Sequence, residues 1–251
     1  MSYRAGFCGI IGMPNAGKSS LMNWLVDDKV SIVTSKPQTT RRRILGLKTS
    51  EQGQIVFVDA PGVVKAAKGL NHFLEKEIEE VVESSDVLLV VLSIDERKKE
   101  TLEQVLDIAK SSKKPYAIVI NKIDIQAYEM RKLVLRRHLQ ENFKDIPVFE
   151  VSTLTAEGKQ EILDQVLKLL PESEQPLYDP ELLSPMNTRD LVAELIREQC
   201  FLELHQEIPY GMAVIIAKFE ETPKITRIMA DLLVAKPSFK SMVIGQGWFW
   251  N

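Results

Sequence analysis

Two cysteines in 251 residues are too few for a disulfide scaffold. Cys8 and Cys200 both fall inside apolar patterns and read as buried thiols of a reducing compartment. Histidine is as scarce: His72, His138 and His205 are scattered, with no cysteine or carboxylate at ligand spacing, which argues against a zinc centre. Neither sign of charge is in large excess. Lys and Arg number 32 against 35 Asp and Glu, a formal net charge of -3, so no global basic field advertises nucleic acid or membrane. Long apolar runs are missing too; the longest strongly apolar run, Val87 to Leu92, is far too short to span a bilayer. Met1-Ser2-Tyr3-Arg4 leads straight into the first apolar run, without the pattern of a signal peptide. These absences lead to the expectation of a soluble cytoplasmic protein. A hydrophobic fraction of 45% suits one large or two modest domains with real cores.

One stretch organises the rest. Gly12-Met13-Pro14-Asn15-Ala16-Gly17-Lys18-Ser19 matches G-x-x-x-x-G-K-[ST], the phosphate-binding P-loop. Phe7-Cys8-Gly9-Ile10-Ile11 before it reads as a buried strand, and Leu21, Met22, Trp24 and Leu25 after it begin a helical pattern. Glycines at 12 and 17 permit turns that a Cβ would block, so successive N–H groups can point into one concavity. The following helix adds its positive end. Lys18 is then the group that reaches the β- and γ-phosphates, and the Ser19 hydroxyl is placed for Mg²⁺.

Short runs rich in Val and Ile alternate with helical patterns along the first two thirds of the chain. Strands are predicted at 44–48, 54–58, 87–92, 115–120 and 147–151, and helices at 70–82, 101–108, 130–143 and 161–170. Residues 30–43 are polar, without period, and read as an exposed loop. The pattern predicts an α/β fold of the P-loop NTPase type, a doubly wound, mostly parallel six-stranded sheet. Pro171, Pro176, Pro180 and Pro185 then mark a linker. Beyond it, Asn187 or Thr188 caps a helix with Leu191, Val192, Leu195, Ile196 and Leu202 on one face. Two strand-like runs, 212–219 and 225–234, and a polar stretch at 236–240 complete a thin second unit.

Two further motifs sit at predicted strand ends, where such sheets bind ligands. The carboxylate of Asp59-Ala60-Pro61-Gly62 can hold Mg²⁺ through a water, and the Gly62 N–H can sense a γ-phosphate. Asn121-Lys122-Ile123-Asp124 selects the base. A carboxylate accepts two hydrogen bonds from the guanine edge, whereas adenine would leave it unpaired at a cost of a few kcal/mol, roughly. The Lys122 stem can lie over the base, and the backbone of Ser152-Thr153-Leu154 could meet the guanine carbonyl.

Together these residues resemble the translation-factor class of GTPases. Gly12-x-Pro14-Asn15-x-Gly17-Lys18-Ser19, the Pro37-Gln38-Thr39-Thr40-Arg41 switch loop, Asp59-Ala60-Pro61-Gly62 and Asn121-Lys122-x-Asp124 are similar to the Era family of bacterial GTPases. Residues 191–198, Glu207-Ile208-Pro209-Tyr210 and Met242-Val243-Ile244-Gly245 also resemble that family's RNA-binding KH domain. The resemblance implies a GTP-binding domain over 1–170, a Pro-rich linker over 171–187, and a smaller α+β, KH-like but incomplete domain over 188–251. It implies a GTPase with GTP, GDP and Mg²⁺, with potassium beside Asn15 as an option. The implied partners are the small ribosomal subunit and the 3′ end of 16S rRNA, bound under nucleotide control. It implies a monomer, cytoplasmic or peripheral at the inner membrane. Carried over residue by residue, Lys18, Thr40 and Gly62 are the catalytic set, with Thr39 as the fallback for Thr40. Ser19, Thr40 and Asp59 are the metal set. Residues 12–19, Asp59, Ala60, Pro61, Gly62, Val63, Asn121, Lys122, Asp124, Ser152 and Thr153 bind nucleotide.

Three positions depart from the pattern. Val63 stands where Ras-like enzymes carry a water-orienting glutamine, which implies slow hydrolysis. Thr153 replaces an alanine. Gly245-Gln246-Gly247-Trp248 puts tryptophan where the RNA-clamping loop has its second glycine. With Val214, Ile216, Ile228 and Leu232 left uncovered, residues 188–251 are expected to be less stable than the first domain and to bind RNA weakly. Arg41, Arg42 and Arg43, and the cluster Lys224, Arg227, Lys236 and Lys240, are local basic patches. A module that binds nucleotide with negligible turnover is the alternative reading. Asp124→Asn discriminates the base assignment. GTP affinity is expected to fall by at least ~2 kcal/mol while xanthosine triphosphate affinity rises. Competition binding measures both, and unchanged GTP affinity would end the guanine reading.

Overall fold

The computed structural model describes residues 2–34, 36, 39–40, 43–63, 70–155 and 157–244, without the side chains of 70–72. Its residues fall into two units. The larger comprises Met1–Ser31 with Thr40–Pro185, and the smaller comprises Ile32–Thr39 with Met186–Asn251. Of the readings above, Pro37, Gln38, Arg41, Arg42 and residues 245–251 lie outside the described residues.

The larger unit is built on β1 (Arg4–Gly12), α1 (Lys18–Val26), β2 (Ile44–Ser50), β3 (Gly53–Asp59), α2 (Leu70–Ser84), β4 (Val87–Ser93), α3 (Lys99–Ser112), β5 (Tyr116–Asn121), α4 (Glu129–Asn142), β6 (Val148–Glu150) and α5 (Lys159–Leu169). The sheet order is β2-β3-β1-β4-β5-β6. Every pairing is parallel except β2 with β3, a two-residue hairpin. Gly53 closes that hairpin because a Cβ there would lie 2.1 Å from the Arg4 carbonyl oxygen. All seven residues of β3 and of β4 are buried, as expected of strands covered on both faces. Ile11, Val58, Leu88, Val90, Ile118 and Ile120 form one contiguous core with Val105 and Leu106 of α3 and Leu135 and Leu139 of α4.

The order explains where the site must lie. The chain runs from β1 to β3 on one side of it and then to β4 on the other. The connections therefore diverge above the C-terminal ends of β1 and β3 and leave a crevice there. The parallel strands β1, β3, β4, β5 and β6 end at Gly12, Asp59, Ser93, Asn121 and Glu150 along one edge. Each sequence motif follows one of these ends.

The Pro-rich segment is tied to the sheet. The Pro171 carbonyl accepts from the Ala5 N–H, the Leu183 carbonyl from the Leu47 N–H, and the Ser184 hydroxyl donates to the Leu45 carbonyl at 2.6 Å. Gln54, fully buried on β3, grips both backbone groups of Tyr178. Its Oε1 accepts from the Tyr178 N–H at 2.9 Å, and its Nε2 donates to the Tyr178 carbonyl at 2.9 Å.

In the smaller unit α6 (Thr188–Glu203) is capped by Asn187, whose Oδ1 accepts from the Asp190 N–H at 2.9 Å. A hairpin of β7 (Met212–Glu221) and β8 (Thr226–Val234) follows, then α7 (Pro237–Ile244). Helix α7 corrects the reading of 236–240 as merely polar: Pro237 opens its first turn, a position proline suits. Ile215, Ile228, Met229, Leu232 and Leu233 are exposed on the hairpin. The apolar face read on α6 is also corrected. Leu195 and Leu202 are exposed, whereas Arg197, Glu198 and Phe201 are buried. Cys8 is buried as expected, but Cys200 is only half-buried.

Gln54→Ala is expected to cost about 1–3 kcal/mol, because it leaves the Tyr178 backbone groups unpaired. Urea denaturation gives the loss, and protease cleavage within 172–183 should appear at native conditions. An unchanged midpoint would show that the strap does not depend on this amide.

Candidate functional site

The P-loop follows β1 and turns into α1. Gly17 is left-handed at φ 89°, as is Asn15 at φ 61°. A Cβ on Gly17 would meet Asn121 Nδ2 at 2.2 Å, and one on Gly62 would meet the Pro14 nitrogen at 2.6 Å. The glycines are required because two other motifs press on this loop. Asn121 Nδ2 donates to the Ala16 carbonyl at 3.0 Å, and the Val63 N–H donates to the Gly12 carbonyl at 3.0 Å. Strand ends β1, β3 and β5 are thereby locked into one surface around residues 12–19.

Lys18 is almost fully buried and donates to the Gly12 and Met13 carbonyls at 3.2 and 3.0 Å. Burial pushes its ammonium down to about 8, against the pull of Asp59. Asp59 at the end of β3 is fully buried. Its Oδ2 accepts from Ser19 Oγ at 2.5 Å, from Ser31 Oγ at 2.8 Å and from Thr40 Oγ1 at 3.4 Å. Ser19 Oγ and Thr40 Oγ1 lie 3.2 Å apart. Desolvation raises the Asp59 carboxyl above its ordinary range, against Lys18 and the three hydroxyls. Its Oδ1 is buried without a partner. A buried carboxylate with one free oxygen, flanked by converging hydroxyls, is a donor set for a small hard dication. Among the described residues no group of three or more His, Cys, Asp and Glu could hold a metal, so such an ion would rest on these hydroxyls and the single carboxylate.

Thr40 and Thr39 separate cleanly. The Thr40 hydroxyl faces Ser19 and Asp59, whereas the Thr39 hydroxyl bonds Thr34 Oγ1 at 2.7 Å and the Lys36 carbonyl at 2.8 Å. Ser31, missed in the sequence, belongs to the cluster; no motif marks a serine nine residues before Thr40.

On the base side, Lys122 is left-handed at φ 65°, and its N–H bonds Asn121 Oδ1 at 2.8 Å. Its ammonium pairs with Asp95 at 2.8 Å. Burial works to raise the Asp95 carboxyl, but hydrogen bonds from Lys122 and Ser93 outweigh it and hold it below the ordinary range. Asp95, also missed, stretches the Lys122 stem along the site. Asp124 is exposed. The Ile123 N–H donates to the Val151 carbonyl at 3.3 Å, which joins this loop to the turn after β6. There Ser152 is buried and its Oγ accepts from the Leu154 N–H at 3.2 Å, while Thr153 is half-buried. Trp24 is half-buried and donates from Nε1 to the Thr155 carbonyl at 2.7 Å, so it anchors that turn to α1. Arg43 pairs with Glu80 at 3.1 Å, and Arg41 and Arg42 lie outside the described residues.

A family model described as a 50S ribosome-binding GTPase matches residues 7–122. GTPase Era of Nitratidesulfovibrio vulgaris is 37% identical over 98% of this chain and 82% of its own length. GTPase Era of Xylella fastidiosa is also 37% identical, over 98% of this chain and 82% of its own length. The chain belongs to the Era family of GTPases. Two solved Era structures superpose on it at 30% identity and 97% of its length, each over 83% of the other chain. One is a point variant of Aquifex aeolicus Era bound to GDP·AlF4⁻, with a TM-score of 0.88. The other is Era with MgGDPNP and nucleotides 1506–1542 of 16S ribosomal RNA, with a TM-score of 0.89. This Era-family chain is therefore an enzyme, a GTPase with a ribosome-related role.

Lys18 generates a pH prediction. Its folded value, about 8, lies below its ordinary 10.5, so between these limits the unfolded chain binds more protons and stability rises with pH. Below pH 8 the cost of the buried charge is fully present. Lys18→Met is expected to stabilise the nucleotide-free protein at pH 7 by about 1–3 kcal/mol and to flatten the rise between pH 8 and 10.5. Urea denaturation across that range checks both; a steeper rise in the variant contradicts the assignment.

Proposed function

We propose that this chain is a GTP-driven switch in small-subunit assembly, binding the 3′ end of 16S rRNA under nucleotide control. The observation that carries it is the placement of Thr40 Oγ1 beside Ser19 Oγ and Asp59, which brings the loop after residue 31 onto the phosphate site. The rRNA-bound Era structure, at a TM-score of 0.89, supports the partner.

The P-loop N–H groups and Lys18 hold the β- and γ-phosphates of GTP, and the charge that develops on the transferred phosphoryl group meets Lys18. Ser19 and Thr40 would hold Mg²⁺ with Asp59 behind them; the orphaned Asp59 Oδ1 fits such an ion. Bound there, Mg²⁺ neutralises phosphate charge. The Gly62 N–H faces the γ-phosphate, and Asp124 reads guanine. Val63, buried beside the P-loop, offers no side-chain donor or acceptor to orient the attacking water. Turnover by the chain alone is therefore slow and depends on a partner. A potassium ion beside Asn15 belongs to the same proposal and predicts faster turnover in potassium than in sodium salts. The protein acts as a cytoplasmic monomer, with peripheral membrane attachment as a secondary association. No helix among the described residues is long and apolar enough to cross a membrane.

The test is single-turnover GTP hydrolysis with and without small ribosomal subunits, alongside titration of an rRNA 3′-end oligonucleotide with GDPNP and with GDP. Stimulation of at least tenfold and tighter binding with GDPNP are expected. Equal RNA binding in both states, with unstimulated turnover, would favour a nucleotide-stabilised binding module.

A further inference from the structure

Helix α6 carries a feature that an amphipathic helix should avoid. Its most buried positions include two charged side chains, Arg197 at 5% and Glu198 at 3% exposure. Charges are kept in such positions only when paired and hydrogen-bonded. Both reach the segment 32–39. Arg197 Nη1 donates to the Thr39 carbonyl at 2.6 Å. The rest of its guanidinium is held by Glu194 and stacks over the Phe201 ring at 5.5 Å. Glu198 Oε1 accepts from the Val33 N–H at 2.9 Å. From the segment's side, Lys36 Nζ donates to the Phe201 carbonyl and to the Leu204 carbonyl, the latter at 2.6 Å. These are carbonyls of the last turn and C-cap of α6, where a cation is favoured.

The peptide between Thr39 and Thr40 transmits this arrangement. It is trans and planar, so its C=O and N–H point in opposite directions. Arg197 fixes the carbonyl of Thr39 and thereby the direction of the Thr40 N–H. At the other end Glu198 holds Val33, two residues beyond Ser31, whose hydroxyl bonds Asp59. The segment leaves the Asp59 cluster at Ser31, is fastened to α6 at three points, and returns to the cluster at Thr40.

We infer that Arg197, Glu198 and Lys36 are positioning residues for Thr40 in GTP hydrolysis, so that α6 of the smaller unit sets the competence of the phosphate site. The inference rests on the reading of Thr40 given above. It also names a route of control: a ligand of the smaller unit that moves α6 should move Thr40 with it, through the Thr39 carbonyl.

The test uses the full chain. Arg197→Met is expected to lower single-turnover GTP hydrolysis at least tenfold with GDP affinity unchanged. It should also abolish the extra hydrogen-exchange protection of residues 32–40 that GDPNP gives over GDP. Arg197→Lys, which keeps a donor for the Thr39 carbonyl, should recover part of the rate. Lys36→Met removes the cation and its donors to the Phe201 and Leu204 carbonyls and should give the same loss of protection; it decides the matter if Arg197→Met fails to fold. Parental rates and parental GDPNP-dependent protection in a folded Arg197→Met or Lys36→Met overturn the inference. Thr40→Ala is the separate control: if it hydrolyses GTP at the parental rate, the reading of Thr40 falls, whatever the α6 variants do.

Discussion

The Asp59 carboxylate has been taken out of water, and much of the larger unit is arranged to tolerate it. Three hydroxyls, from Ser19, Ser31 and Thr40, converge on one of its oxygens, and the other oxygen is left without a partner. Lys18 lies close enough to attract it, yet spends its own hydrogen bonds on P-loop carbonyls. Two buried opposite charges that do not bond each other are poorly compensated. The arrangement becomes favourable when a cation sits on the carboxylate side and an anion on the ammonium side. An Mg²⁺ triphosphate supplies both.

The two halves of the site differ in how they are held. The P-loop, the start of the Asp59 motif and Asn121 sit on ends of strands within one buried sheet, and hydrogen bonds of 3.0 Å to P-loop carbonyls lock them together. Their geometry is fixed by the sheet and by these bonds. Ser31 and Thr40 sit on a segment whose described residues form neither helix nor strand. That segment has no sheet to hold it, so its position depends on side-chain bonds. Rigid phosphate binding and conditional γ-phosphate sensing follow from this division.

The smaller unit is less completely covered than the sheet. Its hairpin leaves Ile228, Met229, Leu232 and Leu233 exposed, and its helix α6 buries charges where aliphatics were expected. A two-stranded sheet with an open apolar face contributes little stability by itself. Local opening should therefore begin there and not in the six-stranded sheet.

Much of this was determined by sequence alone, and the physical reason is locality. Strand, tight loop and helix N-terminus are encoded in one short stretch, so the P-loop could be read directly from Gly12 to Ser19. The alternation of buried Val and Ile runs with helical patterns likewise dictated a parallel sheet, because each period reflects one element. Sequence could not reveal groups whose meaning comes from partners far along the chain. Ser31 gains its role only because β3 ends at Asp59, and Asp95 only because β4 runs beside β5. Gln54 looks like an ordinary strand residue until Tyr178 is brought across it. Arg197 and Glu198 are not among the apolar residues read on α6, and the tertiary structure turned them inward, because backbone groups of Val33 and Thr39 offered hydrogen bonds that no aliphatic face could satisfy.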